Sequence, residues 1–213
     1  MRLRNIPGAE QALREYPTFV DNPTEYKGRW SERFGNNNPI YIEIGCGKGR
    51  FINTLADRHP DVNFIAIELK AEVVLRAAQR TEKQTIPNLA FIQYNAALLP
   101  DLFGAEEVSR IYLNFSDPWP KSRHAKRRLT YASFLQTYKQ VLKKHGEIHI
   151  KTDNENLFEF SLNQLSNERF QLRHITFDLH HSPLAEENVM TEYEERFSSR
   201  GQRIYRTEAI YQE

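Results

Sequence analysis

Residues 114–128 read Asn-Phe-Ser-Asp-Pro-Trp-Pro-Lys-Ser-Arg-His-Ala-Lys-Arg-Arg, which puts a carboxylate, a turn locked by two prolines and a dense run of cations next to one another. Asp117 falls just past an apolar stretch, Ile111 to Phe115, and Pro118 and Pro120 fix the backbone around Trp119, so the carboxylate is presented on a stiff support. Lys121, Arg123, Lys126, Arg127 and Arg128 follow, with His124 and Ala125 among them and no acidic residue. Read as leading into a helix start, this run is electrostatically unfavourable, because a helix N-terminus prefers anions. Phosphates would supply the missing charge, so chemistry and polyanion binding are expected side by side.

A second constellation is Glu43-Ile-Gly-Cys-Gly-Lys-Gly49. Gly45, Gly47 and Gly49 permit a tight turn and close approach of a ligand to backbone, and the third glycine comes too early for the usual dinucleotide fingerprint. Glu68 closes the next apolar run, where a carboxylate can accept hydrogen bonds from both hydroxyls of a ribose. Asn95 follows the run after that and can meet an adenine edge. Glu43 lies between Ile42 and Ile44, and a charge inside an apolar strand requires a specific partner. A sulfonium and an amino group are candidates.

These groups need elements that bring their loops together. Residues 1–38 are polar and punctuated by Pro7, Pro17, Pro23 and the Gly35-Asn-Asn-Asn-Pro39 turn, so they read as an arm ahead of a main domain, 39–213. Apolar patterning predicts strands at 41–44, 64–69, 88–93, 110–115, 147–152, 170–179 and 203–211, and helices at 50–58, 72–84, 131–144 and 154–167. Alternating strands and helices imply an α/β fold, a mostly parallel sheet with helices on both faces. The sixth and seventh strands have no helix between them, so the last runs antiparallel. Seven strands with a terminal hairpin resemble the Rossmann-like class I S-adenosylmethionine-dependent methyltransferase fold more than a dehydrogenase. In that sheet Gly45, Glu68, Asn95, Asp117 and Asp153 end strands one to five, where ligands bind.

Composition narrows the partner. Lysine plus arginine (29) nearly balance aspartate plus glutamate (28), so any RNA site is a local patch. The run at 121–128 is basic, whereas 186–195 carries Glu186, Glu187, Glu192, Glu194 and Glu195. One cysteine excludes an internal disulfide, and no apolar run approaches the roughly 20 residues that span a bilayer. The first residues do not resemble a signal peptide, and a cytoplasmic protein is expected.

Together, the glycine loop, Glu68, Asn95, the Asp-Pro-Trp-Pro-Lys element with its basic follow-on, and Thr191-Glu-Tyr-Glu194 resemble the bacterial tRNA (guanine-N7)-methyltransferase family, over nearly the whole of residues 40–211. The resemblance implies methyl transfer from S-adenosyl-L-methionine to N7 of a guanine in the tRNA variable loop. It implies that Glu43, Glu68, Asn95 and Asp117 contact the cofactor beside the Gly45 and Gly47 turn. It assigns Lys121, Asp153, Thr191, Glu192, Tyr193 and Glu194 to the substrate nucleotide, and Arg123, His124, Ala125, Lys126, Arg127 and Arg128 to the RNA backbone. The family more often carries Asp at position 95, so a neutral amide serves there in this chain.

Guanine N7 has a free lone pair and no proton, so this reaction requires positioning and no general base. Asp117 is expected to orient the reactants and stabilise the cation that forms. Glu194 is expected to accept the N1–H and N2–H donors of a flipped guanine, with N7 left free on the opposite edge. A C5-pyrimidine methyltransferase needs a free nucleophilic cysteine, and Cys46 is committed to the glycine loop. An exocyclic-amine methyltransferase and an inactive RNA-binding protein of the same fold are the remaining alternatives. His145 and His149 read as strand-entry residues rather than metal ligands, and His180 and His181 as opposite faces of a strand. Trp30, Tyr16 and Phe19 in the arm read as packing. Monomer and homodimer both stay open.

Overall fold

The computed structural model describes residues 6–82 and 84–212. Residues 1–5 of the expected arm, position 83 within the expected helix at 72–84, and position 213 lie outside the described residues. Two short helices, α1 (Ala9–Leu13) and α2 (Trp30–Phe34), precede strand β1 (Ile40–Ile44). Then follow α3 (Arg50–Arg58), β2 (Asn63–Glu68), α4 (Ala71–Ala78), β3 (Leu89–Gln93), α5 (Leu99–Leu102) and β4 (Val108–Asn114). The chain continues through α6 (Ala132–Lys139), β5 (Leu142–Thr152), α7 (Glu155–Asn167), β6 (Gln171–Thr176), α8 (Glu192–Ser198) and β7 (Tyr205–Ile210).

The seven strands form one sheet in the order β3-β2-β1-β4-β5-β7-β6. Strands β1 to β5 pair in parallel, and β7 runs antiparallel to both β5 and β6, as the missing crossover helix demands. Side chains alternate between faces. Ile40, Ile42 and Ile44 of β1 enter one apolar cluster with α2, α5, α6 and α7, while Tyr41 packs against the other, built with α1, α3 and α4. Strand order reverses between β1 and β4, which opens a crevice beyond their carboxyl ends.

Residues of the arm dock on this sheet. Phe91 N–H donates to Thr18 O (2.8 Å) and Val20 N–H to Phe91 O (3.0 Å), so the chain around Phe19 covers the open edge of β3. Trp30 is fully buried and donates its indole N–H to Leu102 O at 2.9 Å. Packing is therefore the role of Trp30.

Four boundaries depart from expectation. Helix α4 ends at Ala78 in a 3₁₀ turn, and Glu82 adopts φ 49°. Helix α6 stops at Lys139 because strand pairing claims the next residues: Val108 N–H donates to Val141 O, and a bulge carries the exposed residues 143–145 out of the sheet. Strand β6 stops at Thr176, so His180 and His181 sit on a 3₁₀ turn and not on opposite faces of a strand. Helix α8 forms where apolar patterning predicts no element, over the end of the glutamate-rich stretch 186–195. Thr191 Oγ1 accepts from Glu194 N–H (3.0 Å), and Glu194 Oε2 accepts from Thr191 N–H (3.4 Å), a capping box that nucleates the helix.

Candidate active site

The crevice holds a cavity of about 390 Å³ lined by Gly45, Glu68 and Asn95 from one side and by Asn114, Asp117 and Trp119 from the other. The glycine loop creates its floor. Gly45, Gly47 and Gly49 all have positive φ, and a Cβ on Gly49 would meet Ala77 Cβ at 2.8 Å, so that position must stay bare for α3 to pack on α4. Glu68 Oε1 accepts from Leu69 N–H at 2.8 Å. Burial raises the Glu68 carboxyl above the ordinary range; the N–H groups of Leu69, Lys70 and Gly47 oppose that shift, and the Asp117 charge adds to it. Asn95 caps the next turn by accepting from Ala97 N–H (3.0 Å), which leaves its NH₂ available to the cavity.

Asp117 is exposed on a backbone in unusual conformations. Phe115 has φ 52° and Trp119 φ 43°, left-handed values that cost side-chain-bearing residues about 1–3 kcal/mol each. The surroundings enforce them. Phe115 N–H donates to Lys151 O (2.8 Å), and Arg128 donates to Pro118 O (3.0 Å) and Trp119 O (3.1 Å) while its guanidinium lies 4.3 Å from the Phe160 ring centre. Arg128 is thus the clamp of the double-proline turn, with its Nε and Nη2 donors spent on the Pro118 and Trp119 carbonyls. Arg127 lies 4.9 Å over the Trp119 ring and lines the cavity. His124 meets the edge of Trp119 at 5.8 Å, and Ala125 is half-buried. Lys121, Arg123 and Lys126 are exposed and have no ion-pair partner among the described residues. The cations occupy their own 3₁₀ turn, Ser122–Arg127, and crowd its end, so the helix-start argument against them does not apply.

Glu43 is buried behind the cavity wall rather than in it. Its Oε1 accepts from Asn114 Nδ2 at 2.9 Å, and its Oε2 is buried without a partner. Burial pushes its pKa up to about 7 against the pull of the Asn114 hydrogen bond and the Lys151 charge. Asn114, which sequence reading left without a role, is the link between Glu43 and the cavity. Cys46 is also buried, and burial pushes its thiol well above the usual range. It offers no thiolate for covalent chemistry.

Beyond Phe115 lies a second group. Tyr193 packs on Phe115 (5.0 Å between ring centres), stacks on Phe197 (4.2 Å) and donates its hydroxyl to Asp153 Oδ2 at 3.0 Å. Tyr193 is exposed, so this pair faces outward beside the cavity rim. Glu194 does not. Its side chain is fully buried; Lys151 Nζ donates to Oε2 at 2.6 Å and Asn188 Nδ2 to Oε1 at 2.6 Å. His180 Nε2 lies 3.2 Å from Oε1 without the alignment of a hydrogen bond. Both Glu194 carboxylate oxygens are thus engaged inside the protein, and the residue does not line the cavity. Thr191 spends its hydroxyl on the helix cap, and Glu192 is paired with Arg80. Lys151, absent from the expected set, is the hub, donating also to Val189 O (2.8 Å) and Asn188 Oδ1 (3.0 Å). It follows Ile148 and Ile150 at the end of β5, on the same sheet face as Glu43.

Among the described residues no three metal-ligating side chains converge. His149 is half-buried against Glu147 (2.8 Å), while His145 is exposed in the bulge.

Known proteins share this arrangement of sequence. A family model described as "Putative methyltransferase" matches residues 37–207. The tRNA (guanine-N(7)-)-methyltransferase of Brevibacillus brevis is 79% identical, across 98% of this chain and 98% of that protein. Its counterpart in Lachnoclostridium phytofermentans is 53% identical, across 99% and 98%. Among solved structures, the 16S rRNA methyltransferase KamB superposes with a TM-score of 0.66 at 14% identity, across 87% of this chain and 93% of that one. At that identity the likeness is one of fold.

Proposed function

The chain belongs to the family of bacterial tRNA (guanine-N7)-methyltransferases, and on that premise we propose that it transfers the methyl group of S-adenosyl-L-methionine to N7 of a guanine in the tRNA variable loop. The observation that carries the reading is one cavity with a nucleoside-type wall at Gly45, Glu68 and Asn95 and a strained carboxylate turn opposite, continuous with unpaired cations. The residues fit the cofactor. Glu68 can accept from two ribose hydroxyls, Asn95 can donate to an adenine ring nitrogen, and Glu43 Oε2 is a buried acceptor left without a partner near the same wall. When bound, S-adenosylmethionine supplies an electrophilic methyl group.

The chain's own residues then supply position and charge. Asp117 stands between the cofactor wall and the base. The outward pair of Tyr193 and Asp153 offers a stacking face and an acceptor for the guanine, and the exposed Lys121 offers a donor to the same nucleotide. Arg123, Lys126 and Arg127 neutralise phosphates. No side chain has to remove a proton from N7. Among the described residues no helix is long and apolar enough to cross a membrane, and we place the enzyme in the cytoplasm, with residues 1–38 as an arm on the catalytic domain.

Glu68→Ala is expected to weaken cofactor binding by roughly 1.5–3 kcal/mol for each charged hydrogen bond lost. Calorimetric titration with S-adenosylmethionine in the absence of RNA checks this, and unchanged affinity would remove Glu68 from the site. Cys46→Ser is expected to retain methyl transfer, because the nucleophile is the base itself. Loss of turnover in a folded, cofactor-binding C46S protein would contradict the direct-attack mechanism.

A further inference from the structure

The sequence around α8 looks acidic, yet the fold pairs three of those carboxylates with cations. Glu192 pairs with Arg80, Glu195 with Arg50 and Glu194 with Lys151, all three cations arriving from distant parts of the chain. What remains outward is positive. Arg196 and Arg200 are exposed, have no carboxylate partner among the described residues, and flank Phe197 with their guanidinium groups 5.6 and 5.9 Å from its ring centre. Arg203 is 71% exposed and only 3.8 Å from Asp178, a loose pairing. Glu186 and Glu187 stay exposed, but at the far end of this segment, ahead of the buried Val189.

Helix electrostatics account for only part of this. A cation in the last turn suits the helix dipole, which covers Arg196, whereas Arg200 and Arg203 lie beyond the helix. Position supplies the rest. Phe197 stacks on Tyr193, Tyr193 packs on Phe115 and bonds Asp153, and Gln202 Nε2 reaches Asp153 O at 3.5 Å, so the arginines border the Tyr193–Asp153 side of the site.

We propose that Arg196 and Arg200, with Arg203 behind them, form a second phosphate-binding surface that grips the tRNA backbone on the α8 side of the modified nucleotide. This surface deepens the tRNA methyltransferase reading and rests on it. The two cationic flanks hold the strand on both sides of the base, while the ion-paired glutamates keep α8 in place with their charge offset by Arg80, Lys151 and Arg50.

The test starts with the wild-type protein. Arginine modification by phenylglyoxal, mapped by mass spectrometry with and without unmodified tRNA, is expected to show protection at Arg123, Arg196 and Arg200. Protection of Arg123 alone overturns the second surface, whereas no tRNA binding at all strikes at the methyltransferase reading itself. In the double variant R196Q/R200Q, cofactor affinity is expected to stay unchanged. Each lost phosphate contact removes a log–log salt slope of about 0.7–0.9, so the plot of tRNA affinity against salt flattens by about 1.4–1.8. R196K/R200K is expected to restore most of that slope, and a plot for R196Q/R200Q parallel to the wild type contradicts the proposal.

Discussion

Asp117→Asn is expected to lower the single-turnover rate of methyl transfer at saturating cofactor by on the order of a hundredfold. Removing one preorganised electrostatic contact costs about 10²–10³ in kcat, and the lower end applies because Asp117 is open to solvent before tRNA covers it. The substitution keeps shape and removes charge. Its neighbours at φ 52° and 43° hold the turn in a conformation that the fold maintains through Lys151 O and Arg128, so the backbone that carries the carboxylate is fixed before substrate arrives. That rigidity is worth having only if the carboxylate must meet developing positive charge at a defined place. A rate within threefold of wild type, measured with both substrates saturating, would leave Asp117 with no role in the chemical step.

Lys151→Met is expected to destabilise the protein by about 3–5 kcal/mol, because it leaves the Glu194 carboxylate buried without its cation. For a chain of this size about 1 kcal/mol shifts Tm by roughly 2–4 °C, so thermal unfolding should begin on the order of 10 °C lower. Burial lowers the Lys151 pKa and the Glu194 charge and hydrogen bond oppose that, so the contact that offsets the cost of burying the ammonium is the one the mutation breaks. The double change K151M/E194L is expected to recover much of the loss, since apolar groups can replace a buried pair at little cost. It will not recover all, because Glu194 also closes the helix cap. Glu194→Gln should disturb the same anchor and leave the guanosine-to-inosine rate ratio at wild-type value, as expected of a residue that positions α8 without touching the base. Equal unfolding temperatures for K151M and wild type would dismiss Lys151 as the anchor.

Much of the cavity wall was legible in the sequence because it depends on local order. An apolar run that ends in Gly45, Glu68, Asn95 or Asp117 is a buried strand reaching its loop, and a parallel sheet gathers those loops at one edge. The α8 region failed for the opposite reason. Its partners Arg50, Arg80 and Lys151 lie 145, 112 and 43 residues away from Glu195, Glu192 and Glu194, and counting charges within a window cannot register ion pairs of that separation. One local signal was there to use: Thr191-x-x-Glu194 has the spacing of a capping box. Arg128 shows the same limit at short range, since its position in a basic run conceals that its donors turn back to Pro118 and Trp119.

The most direct measurement is methyl transfer from isotopically labelled S-adenosylmethionine to bulk tRNA lacking the modification, followed by nuclease digestion and mass-spectrometric mapping of the labelled nucleotide. The label is expected at N7 of a single guanine in the variable loop. Label on an exocyclic amine or a pyrimidine carbon, or no transfer by a protein that binds both cofactor and tRNA, would contradict the account.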